Sequence, residues 1–113
     1  MLQKGGNWEA GGTIAIARCL ELDATNPQTE LVAAGADTDE IIAVSTNAAT
    51  ATNPSALEYE CLAPGKVVSV TASAAITILD YLAPTTAGKV KTAESADRYF
   101  FIALEAAADD GDI

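Results

Sequence analysis

The sequence predicts an all-β fold, and three observations predict it. Apolar residues alternate with polar or small ones through most of the chain. Pro-Gly, Asn-Pro and small-residue clusters break that alternation about every ten residues. The runs between breaks have the β-branched and aromatic content of strands. Together they specify a small antiparallel β-barrel or sandwich of about eight short strands. A chain of 113 residues suits one domain, expected over 13–113 behind a flexible N-terminal arm over 1–12.

The arm holds four glycines and one tryptophan, Trp8, too little apolar area to fold by itself. An aromatic so placed either tucks against its own domain or anchors in a partner's pocket. Residues 13–22 (TIAIARCLEL) are the first expected strand, with Ile14, Ile16, Leu20 and Leu22 on one face and Cys19 and Glu21 on the other. Arg18 interrupts the apolar face, so that strand overruns the core or the guanidinium snorkels to a carboxylate. The DATNPQ segment at 23–28 supplies a turn, because the residue before proline is held extended.

A short strand at 30–34, a turn at 35–39 and a second strand at 40–45 follow, patterned as a hairpin. A helix starting on an Asp or Thr cap competes for DTDEIIAV, but the crowding of β-branched residues favours strand. Residues 46–55 (TNAATATNPS) read as a loop. The strand at 56–62 puts Leu57, Tyr59 and Cys61 on one face and Glu58 and Glu60 on the other. Strands are expected again at 66–72, 75–82, 89–92 and 98–105. The last of these, RYFFIALE, is apolar on both faces, which implies a buried barrel wall or a seam with another chain. Asp109, Asp110 and Gly111 make a final turn.

Sixteen acidic against six basic residues, and no histidine, give a net charge of −10. That excludes nucleic acid as a partner, since phosphate binding needs clustered Lys and Arg, and here the six are scattered among carboxylates. Without histidine no Ser-His or Cys-His couple forms, and no serine sits in a motif that brings it to a lysine. The Asp clusters near Gly35 and Gly111 lack the calcium-loop spacing, and no phosphate-cradling glycine motif occurs. The expectation is a non-enzymatic chain with no cofactor and no metal. Cys19 and Cys61 have no metal spacing and are expected as buried free thiols, although two cysteines also allow one bridge. The first twelve residues lack the apolar run of a leader, and no stretch approaches the ~20 apolar residues of a membrane span. The chain is therefore expected to be made and kept in a cytoplasm-like compartment unless carried out, with no membrane partner. Half the residues are apolar, but many are alanine and only 5% are aromatic. The core is correspondingly thin, and association with another body would add to its stability.

The order of several short motifs carries a resemblance. Gly65-Lys66-Val67 precedes a strand closing on Ile78-Leu79-Asp80-Tyr81-Leu82. A second such triplet, Gly88-Lys89-Val90, leads to Thr92-Ala93, and then Phe101-Ile102-Ala103-Leu104-Glu105-Ala106-Ala107 runs to Asp110-Gly111-Asp112-Ile113. Over residues 22–113 this order resembles the tailed-phage capsid decoration, or head cement, proteins. That family usually has glycine where Leu79 stands and where Tyr99 or Phe100 stands, and it completes a last strand beyond the position of Ile113, an edge here left open or filled by something else. The resemblance implies a small β-barrel that binds the outside of a phage head, bridges major capsid protein subunits and works as a homotrimer. The residues expected at capsid or intersubunit contacts are Lys4, Trp8, Arg18, Tyr99 and Phe101. A non-catalytic ligand-binding β module, of the carbohydrate-binding or adhesin type, is the alternative.

Overall fold

The computed structural model describes residues 8–36, 39–50, 52–94, 101–111 and 113. Among them the chain is all-β, with eight strands and two single 3₁₀ turns, Pro54–Ala56 and Thr86–Gly88. The strands are β1 (Glu9–Ala10), β2 (Cys19–Leu22), β3 (Glu30–Ala33), β4 (Ala43–Ser45), β5 (Tyr59–Cys61), β6 (Tyr81–Pro84), β7 (Val90–Thr92) and β8 (Phe101–Ile102). They form a five-stranded sheet, β1-β3-β2-β4-β5, and a three-stranded sheet, β7-β6-β8. All pairings are antiparallel except β1 with β3. The radius of gyration, 13.4 Å, matches the ~13 Å of one folded unit of this length.

Two thin cores result. Cys19, Ile41, Ala72, Ile76, Leu82 and Val90 pack between the sheets with two further alanines, Ala34 and Ala103. Ile14, Leu20, Leu31 and Leu57 cover the opposite face of the larger sheet, also with alanines. Adjacent residues Cys19 and Leu20 are both fully buried, one in each cluster, because successive strand residues point to opposite faces. The larger sheet is therefore covered on both sides.

Several expected strands are shorter or displaced. Glu9 and Ala10, expected at the end of a flexible arm, instead pair with Glu30 and Leu31. The run 13–22 does not extend straight through, because Ala17 is left-handed at φ 59°. That kink turns Ile16 to solvent while Ile14 stays buried. Ser45 holds it: its N–H donates to Arg18 O, its Oγ accepts from Arg18 N–H at 2.9 Å, and the same hydroxyl donates to Ala15 O at 2.7 Å. Residues 66–72 contain no strand, and only the last part of 75–82 is β6. The short runs at 30–33 and 90–92 fall where the alternation put them.

Cys19 is buried as expected, but Cys61 is exposed, and both are free thiols. They pair with Val44 and Ala43, on opposite sides of β4. Two strand spacings, roughly 10 Å, exceed what a disulfide spans. Burial pushes the Cys19 thiol up to about 12. A thiol reagent under native conditions is expected to label Cys61 alone, with Cys19 reacting only after denaturant is added. Equal labelling of both in the native chain, read by intact mass, would contradict this burial.

The glycines of the two Gly-Lys-Val triplets are both left-handed, Gly65 at φ 80° and Gly88 at φ 73°. Only Gly88 is crowded. Its N–H donates to Ala34 O at 2.7 Å, and it lies directly against Arg18 and Cys19, so it joins the β6–β7 hairpin to the larger sheet.

Candidate binding surface

Among the described residues the three-stranded sheet is packed on one face only. Leu82 and Phe101 are cross-strand partners turned to the core, Leu82 buried and Phe101 half-buried. The neighbouring pair, Tyr81 and Ile102, must face the other way. Leu79 precedes this pair and Leu104 follows it, and the Leu79 N–H donates to Ala103 O at 2.7 Å, so the turn lies alongside β8. Leu79, Tyr81, Ile102 and Leu104 are 68%, 53%, 52% and 60% exposed. They form an apolar outer face of a kind that marks contact surfaces. Of the two expectations for RYFFIALE, the buried barrel wall is corrected for Ile102 and Leu104, which are open because β8 is an edge strand among the described residues; the seam with another chain is what is left.

Leu79 adds a second signal, since its backbone is left-handed at φ 71°. For a residue with a Cβ that conformation costs about 1–2 kcal/mol. Glycine would relieve the strain and lose little packing, given how exposed the side chain is.

Of the residues singled out from the sequence, those that are described do not converge on this face, apart from Phe101 just beneath it. Lys4 and Tyr99 lie outside the described residues. Trp8 is docked on its own domain. Its Nε1–H donates to Pro27 O at 3.1 Å, its N–H donates to Tyr59 Oη at 3.2 Å, and its ring meets Tyr59 edge-on at 5.9 Å and 61°. Arg18 is half-buried beside Gly88; Nη1 donates to Ala87 O at 3.1 Å, while the buried Nε has no hydrogen-bond partner. Leu79, Tyr81, Ile102 and Leu104 are not among the residues singled out from the sequence. The both-face apolarity of 98–105 carries a signal for Ile102 and Leu104, and only the β6–β8 pairing brings Leu79 and Tyr81 beside them.

Elsewhere the polar groups serve turns. Asp39 Oδ2 accepts from Gly35 and Ala36 N–H at 2.8 and 2.9 Å. Lys66 pairs with Glu60 at 3.0 Å and Lys89 with Asp110 at 2.7 Å. Among the described residues no three Cys, Asp or Glu gather as metal ligands, and no helix is long and apolar enough to cross a membrane.

Glu21 has a displaced carboxyl pKa with a clear cause. Desolvation first, then the charge of Asp39 and a hydrogen bond with it, push it from the ordinary 4.5 to about 7. The folded chain thus holds this proton more tightly than the unfolded one. The associated stability is fully present below pH 4.5 and is lost as pH rises through about 7. Because the carboxyl is partly exposed, solvent screening holds the effect to about 1 kcal/mol. Glu21→Gln is expected to flatten the decline in the urea midpoint between pH 5 and pH 8 by about that amount. An unchanged pH profile would remove Glu21 as its source.

Comparison of the chain with protein-family models, with curated proteins and with solved structures returns no match.

Proposed function

We propose that this chain is a structural protein of a tailed-phage virion, a decoration or cement protein that binds the outer capsid surface as a homotrimer and bridges neighbouring major capsid protein subunits. The observation that carries this reading is the outer face of Leu79, Tyr81, Ile102 and Leu104. A thin, alanine-rich β domain leaves four large apolar side chains open on one sheet, and contact with another body is the physical use for them. The left-handed leucine supports it too: a strained side chain with little packing in its own chain is explained by contacts outside. The position at which the resembled family carries glycine is thus one with a glycine-type backbone. The charge of −10 suits the outside of a DNA-filled shell. Modest single contacts suffice, because many copies on one lattice add by effective concentration.

The test adds purified chain to expanded tailed-phage heads that lack it. Co-sedimentation with the heads and a higher bursting temperature are expected, and failure to bind at saturating concentration ends the proposal.

The ligand-binding alternative gains one observation, since Trp8 is fixed against Tyr59 rather than carried on a loose arm. Their edge-on packing leaves no flat two-ring platform, and the half-buried Trp8 is committed to Pro27. Glycan-array binding by a monomeric chain, lost in Trp8→Ala, would favour that alternative over cement.

A further inference from the structure

We propose that the groove between residues 67–70 and β8 receives an extended, cationic β-segment of a partner protein, which hydrogen-bonds as an added strand to both banks. The inference concerns a site and a ligand chemistry, and it stands whichever protein supplies the segment.

The first bank is a strand without a partner. Residues 66–70 (KVVSV) have strand composition and alternation, yet they belong to neither sheet. The Lys66 N–H closes a turn on Ala63 O, and the next bond along the chain is Thr71 N–H to Ala17 O. Between them the backbone N–H and C=O groups of Val67, Val68, Ser69 and Val70 make no hydrogen bond with any described residue. The second bank is an edge of the small sheet, where β8 is outermost among the described residues. Ala103 turns its N–H to Asp80 O and its C=O to Leu79 N–H. Antiparallel alternation therefore aims the backbone groups of Ile102 and Leu104 away from β6.

Both banks line one groove of 930 Å³, whose walls include Ala72, Ile76, Leu82, Val90 and Phe101. A row of unbonded backbone groups facing a sheet edge across an apolar floor is the demand that a strand meets, and that a helix, bonded within itself, does not. Alternate side chains of the added strand would drop onto that floor and the others would point to solvent. Charge selects the second set. Glu105 lies on the groove, Lys66 is already bound to Glu60, and the chain as a whole carries −10. Lysine or arginine at the outward positions is attracted to that acidic surround.

The probe is an N-acetylated peptide alternating valine with lysine, titrated into the full chain while backbone amide exchange is followed by NMR. One alternate pair of amides among residues 67–70, together with those of Ile102 and Leu104, is expected to exchange at least about tenfold more slowly. Val68→Pro and Ser69→Pro remove donors that the fold does not use. Because neighbouring N–H groups point opposite ways, one of these variants should lose the protection and the other keep it. A peptide N-methylated at alternate positions tests the same bonds with the protein untouched, and it should give no protection. No slowing at saturating peptide overturns the proposal. So does equal slowing by the N-methylated peptide or by one alternating valine with glutamate. Protection of the same amides in peptide-free chain, appearing with a doubling of mass, would assign the groove to a second copy and overturn it as well.

Discussion

Gly88→Ala is expected to destabilise the chain by about 2–5 kcal/mol, while Gly65→Ala removes only about 1–2. Both glycines open a Gly-Lys-Val triplet and both are left-handed, so each substitution adds the strain of an L-residue at positive φ. They differ in what the new methyl meets. At Gly65 nothing lies within 4 Å, whereas at Gly88 a Cβ would sit 2.7 Å from Cys19 O and 2.9 Å from Arg18 Cβ. The backbone of β2 cannot yield there without disturbing Leu20, at the centre of the second core. Overpacking of this kind costs about 1–3 kcal/mol beyond the strain. Domains have only about 5–15 kcal/mol in total, and a core built from alanines belongs near the lower end. Urea midpoints of the two variants, measured side by side, separate the contributions. Equal losses would mean that the Gly88 contact does not hold the hairpin to the larger sheet.

The contrast between identical triplets also marks the limit of what was legible in the sequence. Alternation located β3 and β7, because each is short and its burial follows local pattern. Turn chemistry located Gly65, Gly88 and the Asp110-Gly111 turn. Nothing local identifies Ala17 as left-handed, since alanine carries no turn preference, and the kink rests on hydrogen bonds from Ser45, distant in sequence. For Trp8 the sequence leaves docking on its own domain and anchoring in a partner both open, because its partner Tyr59 is 51 positions away. Residues 66–70 read as a strand and lack only a neighbour, which their own sequence cannot supply. The candidate face was half legible. The apolarity of 98–105 on both sides pointed to Ile102 and Leu104, but only the β6–β8 register brings Leu79 and Tyr81 beside them.

The largest expected effect on binding comes from that face. Ile102→Asp combined with Leu104→Asp should weaken attachment to phage heads by at least about a hundredfold, since buried interface anchors are each worth about 2 kcal/mol or more. Both side chains are mostly exposed in the isolated chain, so its unfolding free energy in a urea titration should change by no more than about 0.5 kcal/mol. Ile16→Asp is the control, because Ile16 is equally open but lies at the Ala17 kink of the other sheet. It should bind normally. Leu79→Gly separates the two properties most sharply. It relieves the left-handed strain, so stability should hold or rise, yet it deletes an apolar contact, so binding should fall. If the double aspartate variant bound heads as tightly as the parent, the outer face would not be the contact surface. If Leu79→Gly lowered stability by more than about 1 kcal/mol, that leucine would be serving its own fold, and the argument from strain to contact would fail.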